Sequence, residues 1–201
     1  TMDDDVQGEP LAPLRRAMVA RADGAELWAY ERHGYRGFEL SPSDPRRTFL
    51  AMTHLESFRR RQRYFPEEEL GFDHTEILID TAIADLGVDM TCDFFFFAER
   101  EFWQRRNRAA QFQKSRQDRL GLGWANHDHH TYRSSREHFT RLITIWEKLG
   151  FQKRERFYAG HEAGWGAQVM EQPVVGIVTF NDVDLSPDEV MADFAHAELP
   201  R

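Results

Sequence analysis

The sequence predicts an α+β protein, and three observations carry that reading. Residues 130–180 read as strand, helix and three strands, in the order βαβββ. A polar, helix-forming run fills the middle of the chain. Strand-like segments near the start are followed by a helix whose first turn is well marked. With 201 residues, 41% of them hydrophobic and 16 of them phenylalanine, the chain has ample material for an interior. The organisation predicted is a disordered tail over 1–9, an N-terminal half with helical insertions over 10–123, and a module over 124–201. All three are expected to form one compact domain.

Taken in order, the first nine residues, with Asp3-Asp4-Asp5, are too polar to pack. Leu11 to Arg21 predicts a short helix. Glu26 to Tyr30 and Tyr35 to Leu40 predict strands, joined by a hairpin turn at His33-Gly34. Ser41-Pro42-Ser43-Asp44-Pro45 breaks the chain. Ser43 or Asp44 is available to cap the next helix, and Pro45 suits its first turn. That helix is expected over 46–64, with Phe49, Met52, Leu55 (or His54) and Phe58 on its inner stripe and Pro66 beyond its end.

Thr75 to Asp80 predicts a strand, and so does Met90 to Phe97. Four consecutive phenylalanines, Phe94 to Phe97, suit a strand covered on both faces. Glu99 to Leu120 predicts a long polar helix, broken at Gly121-Leu122-Gly123.

The module is the clearest part. His130 to Arg133 reads as a strand, and Ser134 with Glu137 has the spacing of a capping box. Phe139, Leu142, Ile143, Trp146 and Leu149 form one helical stripe, and Gly150 is placed to end that helix. Lys153 to Ala159, Gly166 to Glu171, and Val174 to Phe180 are the three following strands.

Charge and composition narrow the function. A net charge of −8 opposes binding driven by phosphate neutralisation, so nucleic acid is not an expected partner. No apolar run approaches the roughly 20 residues of a membrane span. The acidic start lacks a signal-peptide pattern, and Cys92, being the single cysteine, has no intrachain partner. A cytoplasmic protein is the expectation. The run Arg59-Arg60-Arg61-Gln62-Arg63 and the arginines between 100 and 119 read either as solvated helix faces or as an anion-binding rim.

One segment concentrates chemistry: Asn126-His127-Asp128-His129-His130-Thr131-Tyr132-Arg133. Three imidazoles and a carboxylate within four residues, at the edge of a strand, are typical metal-ligand material. Asp128 could orient an imidazole through its free N–H. His130 is the leading ligand, and strand alternation sends His129 to the other face.

Here the chain resembles the vicinal oxygen chelate superfamily of glyoxalases, extradiol dioxygenases and bleomycin-resistance proteins. The resemblance rests on His129-His130-Thr131-Tyr132-Arg133, followed by a helix closing in Glu147-Lys148-Leu149-Gly150-Phe151, and covers residues 129–182. It implies βαβββ modules paired into a curved mixed sheet around a divalent metal. Iron(II) is favoured, with manganese, nickel or zinc as alternatives. His130 matches the first-strand ligand. Val174 to Phe180 carries no Glu or His, so Glu171 is the candidate for the last strand. From the N-terminal half, His74 (in Asp73-His74-Thr75-Glu76) and Glu39 (in Gly37-Phe38-Glu39-Leu40) are the remaining candidate ligands.

The activity so implied is that of a non-haem iron oxygenase acting on a small polar metabolite that chelates the metal. Tyr132 and His129 would move a proton, and Arg133, Arg136 and Trp165 would contact an anionic substrate. A metal-dependent isomerase or lyase uses the same geometry. A metal-free sequestering protein, with its cleft at a homodimer interface, is the reading from a different class.

Overall fold

The computed structural model describes residues 6–121 and 130–199. The protein is α+β and divides into two compact units, residues 1–102 and 103–201. The division falls earlier than the boundary at 123 that the sequence suggested.

In the first unit, β1 (Val6–Gln7), β2 (Leu14–Ala22) and β3 (Ala25–Arg32) form an antiparallel sheet in that order. The helix expected over 11–21 is therefore a strand, and the tail expected to be disordered pairs from Val6 onward. Local propensity in Leu14–Ala22 favours a helix. It is overridden by the turn, because Asp23 and Gly24 both take positive φ (49° and 80°), as a two-residue hairpin requires. The hairpin thus sits ten residues before His33-Gly34. Residues 35–40 are irregular rather than a strand, with Phe38 folded edge-on against Tyr30 at 5.3 Å.

Helix α1 (Pro45–Arg59) starts as the sequence predicts. The Asp44 carboxylate accepts from the backbone N–H of Arg46 (3.0 Å) and Arg47 (3.2 Å), and Pro45 occupies the first turn. It ends at Arg59, short of 64. Its inner face carries Ala51, His54, Leu55 and Phe58, while Phe49 and Met52 are 67% and 58% exposed. The expected stripe holds at His54, Leu55 and Phe58, and departs in the first half of the helix, where Ala51 is buried in place of Phe49 and Met52.

Helix α2 (Glu68–Leu86) contains the expected strand 75–80, and α3 (Val88–Arg106) contains the expected strand 90–97. Both corrections have a physical reason. Thr75, Ile79, Ala82 and Leu86 are buried at steps of four, three and four, which is helical periodicity. Met90 to Phe96 is apolar almost all round, and such a run does not distinguish a buried strand from a buried helix. Phe94, Phe95 and Phe96 are core, and Phe97 is 38% exposed.

The long polar helix is two helices. Asn107 accepts from Ala110 N–H at 3.1 Å and caps α4 (Arg108–Arg119), which belongs to the second unit.

The second unit holds β4 (His130–Arg133), α5 (Phe139–Lys148), β5 (Gln152–Tyr158), β6 (Trp165–Gln172) and β7 (Ile177–Asp184). This is the predicted βαβββ order. The sheet runs β4-β7-β6-β5, with β4 parallel to β7 and the other pairs antiparallel.

Helix α5 ends in a full Schellman turn. Gly150 (φ 82°) donates to Glu147 O at 2.9 Å, Phe151 donates to Trp146 O at 3.0 Å, and the Trp146 and Phe151 rings meet at 5.8 Å. That geometry explains Leu149-Gly150-Phe151 without reference to function. The helix starts at Phe139, so Ser134 and Glu137 are not its capping box. Ser134 N–H instead continues the β4–β7 ladder, donating to Asp182 O at 3.1 Å.

One face of this sheet is closed by α5 and the C-terminal segment. Trp146 Nε1 donates to the buried Asn181 Oδ1 at 2.7 Å, and Phe139 stacks on Phe194 at 5.9 Å. The other face carries Phe157, Trp165 and Phe180, whose rings meet at 5.4 to 6.5 Å.

Candidate functional site

The predicted metal ligands of the second unit, His130 and Glu171, do not converge. His127, Asp128 and His129 lie outside the described residues. His130 sits opposite Thr179, and Tyr132 sits opposite Asn181. Both therefore share the face covered by α5, where the Tyr132 ring packs on Trp146 at 4.7 Å. Thr179 in turn faces Met170, so the next residue, Glu171, points to the opposite face of the sheet. A single ion cannot bind His130 and Glu171 from opposite faces. Glu171 lies 3.6 Å from Arg154 instead.

His74 and Glu39 belong to the first unit. His74 is in the middle of α2 rather than at a strand start, and its ring packs against Phe65 at 5.5 Å. Glu39 is exposed in the irregular stretch after β3. Among the described residues, no three His, Cys, Asp or Glu side chains gather in a way that suits a metal ion. The described members of the implied ligand set do not fit the metal.

The predicted substrate contacts have other partners. Arg133 pairs with Asp184 at 2.5 Å. Arg136 donates to Glu189 at 2.6 and 3.0 Å and to Asp184 O at 2.8 Å, fastening the turn at Glu189–Met191. This pairing holds the Glu189 carboxyl down at about 2, with the Arg136 hydrogen bonds as the main cause. Trp165 opens β6 and packs within its aromatic trio. Cys92 is fully buried, and burial pushes its thiol well up, so it packs rather than reacts.

A site of a different kind stands in the first unit, around His33. Gly34 adopts φ 61°, and a Cβ there would lie 2.3 Å from the backbone of Asp89 and Met90. Only a glycine lets the chain touch the start of α3 so closely. His33 N–H donates to Pro13 O at 3.1 Å, fixing the backbone from the other side. Asp93 lies one helical turn beyond Asp89 on α3, on the same face. The result is a close pair, with His33 Nδ1 2.8 Å from Asp93 Oδ2.

An ionised carboxylate only accepts, so in the neutral imidazole Nδ1 carries the proton and Nε2 carries the lone pair. Nε2 is buried and has no hydrogen-bond partner among the described residues; the nearest carboxylate oxygen, on Glu31, is 3.8 Å away. The Phe94 ring flanks the imidazole at 5.3 Å.

His33 forms part of the wall of a pocket of about 360 Å³. Leu11, Met52, Leu55, Phe94 and Phe97 make the rest of it largely apolar, with Glu31, Glu56 and Arg59 as its polar groups. Leu11 holds φ 58°, a left-handed conformation that costs a non-glycine residue on the order of 1 kcal/mol. Strain of this sort persists where surrounding structure imposes it, and here it falls on the pocket wall.

Sequence reasoning missed this site. His33 read as a turn residue and Asp93 lay inside a run read as a strand. Sixty residues separate them, so no spacing signature exists. Comparison with protein-family models, with curated proteins and with solved structures finds no match to this chain.

Proposed function

We propose that the protein is an enzyme of proton transfer acting on a small, mainly apolar molecule, with His33 as the base and Asp93 as the group that orients it. The observation supporting this reading is the His33–Asp93 pair itself, with His33 in the wall of the pocket and its Nε2 buried without a partner among the described residues. A buried acceptor without a donor is destabilising by about 1–3 kcal/mol. A ligand bearing an O–H, N–H or activated C–H would relieve that penalty. The carboxylate does two things for such a base: it fixes the tautomer and stabilises the imidazolium that forms. The apolar wall supplies the low dielectric that strengthens both effects.

No step is routed through a metal, because His130 and Glu171, the donors named for one in the second unit, lie on opposite faces of a sheet. A binding protein on the same scaffold would use the same pocket without turnover.

The test is solvent exchange. The protein is incubated in deuterated buffer with a panel of small carbonyl compounds and phenols, and loss of carbon-bound protons is followed by proton NMR. Exchange that falls by about 10²–10⁴ in His33→Ala is the expected outcome. Binding without exchange, equal in Asp93→Asn and wild type, would favour the binding protein. Ligands that bind equally well to His33→Ala would remove the site altogether.

A further inference from the structure

We propose that the outward face of α4 is a docking surface for an anionic lipid bilayer, on which the helix lies in the headgroup layer. The inference is independent of the chemistry proposed for His33.

Two stripes run along this helix on opposite sides. Ala110, Lys114 and Gln117, at steps of four and three, form the side turned to the protein. Gln117 is 6% exposed and the Lys114 side chain 18%. Arg108, Phe112, Arg116 and Arg119, at steps of four, four and three, form the other side, and all four are exposed. Phe112 is 66% exposed, and so is Leu120, four positions past Arg116 at the helix end.

The positive charge on the outer stripe is not neutralised. Asp118 is the single acid of α4, and it accepts from Lys114 at 2.5 Å. Among the described residues, Arg108, Arg116 and Arg119 form no hydrogen bond or ion pair. Three whole charges therefore stand on one helix face, in a chain of net charge −8.

Helix stability does not account for this arrangement. The N-terminus of a helix favours acids and its C-terminus favours bases. Arg116 and Arg119 suit that rule, but Arg108 is the first residue of a helix with no acid in its first turn. Asp118, in the last turn, opposes the rule as well. Phe112 adds nothing to a core, since most of it faces water.

The mixture of groups selects the partner. A nucleic-acid duplex would use the arginines and leave Phe112 and Leu120 in water. A single strand could stack a base on Phe112 and has no use for Leu120. An anionic bilayer engages every group: the apolar side chains pass below the headgroups, while the arginines keep their guanidinium groups at the lipid phosphates. With 12 residues, α4 is long enough to lie in that interface and too short to cross the bilayer.

The test is flotation of the intact protein with vesicles of phosphatidylcholine alone, and with vesicles of phosphatidylcholine and phosphatidylserine in equal parts. Binding to the mixed vesicles only, weakening as salt rises, is the expected result. Arg108→Gln, Arg116→Gln and Arg119→Gln should each weaken binding about fivefold, the effect of one arginine at an anionic surface. Phe112→Ser should weaken it about tenfold. Arg60→Gln makes the same change in net charge outside this helix, at a side chain that is 80% exposed, and should leave binding within about twofold. Because the substituted side chains are exposed, each variant should keep the Tm of the wild type. No binding to the mixed vesicles, equal binding to both compositions, or wild-type binding in Phe112→Ser or in the arginine variants would overturn the proposal. Saturable binding of an oligouridylate through these arginines, with none of vesicles, would overturn it in favour of a nucleic-acid site.

Discussion

At the scale of single residues, one glycine and one carboxylate make the His33 site. Gly34 fills a position where both the sign of φ and the 2.3 Å approach to Asp89 and Met90 exclude a side chain. Gly34→Ala is expected to destabilise the protein by about 2–4 kcal/mol, read as a lowered urea midpoint at unchanged slope. Asp93→Asn is the gentler probe. It keeps the shape, removes the charge and lets the imidazole change tautomer. Nitrogen-15 spectra of His33 should show the proton moving from Nδ1 to Nε2, and any exchange activity should fall with it. An unchanged tautomer would mean that Asp93 does not orient the ring. Neither residue was legible beforehand, because a histidine beside a glycine and an aspartate in an apolar run have ordinary structural uses. Asp44 was legible, since N-capping is a local interaction written in four consecutive residues.

At the scale of elements, the C-terminal turn is held by ionised pairs whose pH dependence has a definite sign. Glu189 is depressed to about 2 by Arg136, and Asp193 is depressed by hydrogen bonds from His196 and Lys153. Depressed carboxylates contribute stability that is present above their ordinary values of 4.5 and 3.8 and is lost as pH falls through the folded ones. His196 is raised by Asp193 first and by Glu147 second. Its contribution is full below 6.5 and is lost as pH rises through the raised value. The turn should therefore be most protected between about pH 5 and 6.5, and amide exchange at 189–197 is the measurement. Because these groups are partly exposed, salt should shrink the effect. Arg136→Ala should cost about 1 kcal/mol and flatten the acid limb. Protection that does not change between pH 4 and 8 would contradict the assignment.

Element type was legible where periodicity was clean. The stripe Phe139, Leu142, Ile143, Trp146 reappears as the buried face of α5, and Gly150 ends it through positive φ. Gly150→Ala is expected to destabilise this unit by about 1 kcal/mol through that φ alone. Legibility failed where a segment was apolar on every side. Met90 to Phe96 is buried almost throughout, and burial of that kind leaves no alternation to read. It failed again at Leu14–Ala22, where a turn two residues long decides the conformation of nine.

At the scale of the whole molecule, the residues that the sequence grouped are distributed over the two units. His74 and Glu39 lie in one unit, His130 and Glu171 in the other, and the last two on opposite sheet faces. The corresponding prediction is that His130→Ala leaves the thermal response to added manganese, zinc or iron(II) identical to that of the wild type. A metal-dependent rise in Tm that disappears in the variant would restore the metal-centred reading. Among the described residues, no helix is long and apolar enough to cross a membrane.

What the sequence determined by itself was whatever depends on neighbours along the chain. That covers the α+β class, the βαβββ order, the Asp44 cap before Pro45, and the glycine that ends α5. These follow from interactions between residues a few positions apart, whose energies hardly depend on the rest of the protein. Only the tertiary structure decided which faces the side chains take and which distant groups meet. His33 reaches Asp93 across sixty positions because a glycine allows two backbones to touch. His130 and Glu171 are kept apart because the pairing of β4 with β7, and of β7 with β6, sets their parity. Strand register and long-range contact are collective properties of packing, and a single residue's shift in either reverses the chemistry that a motif suggests.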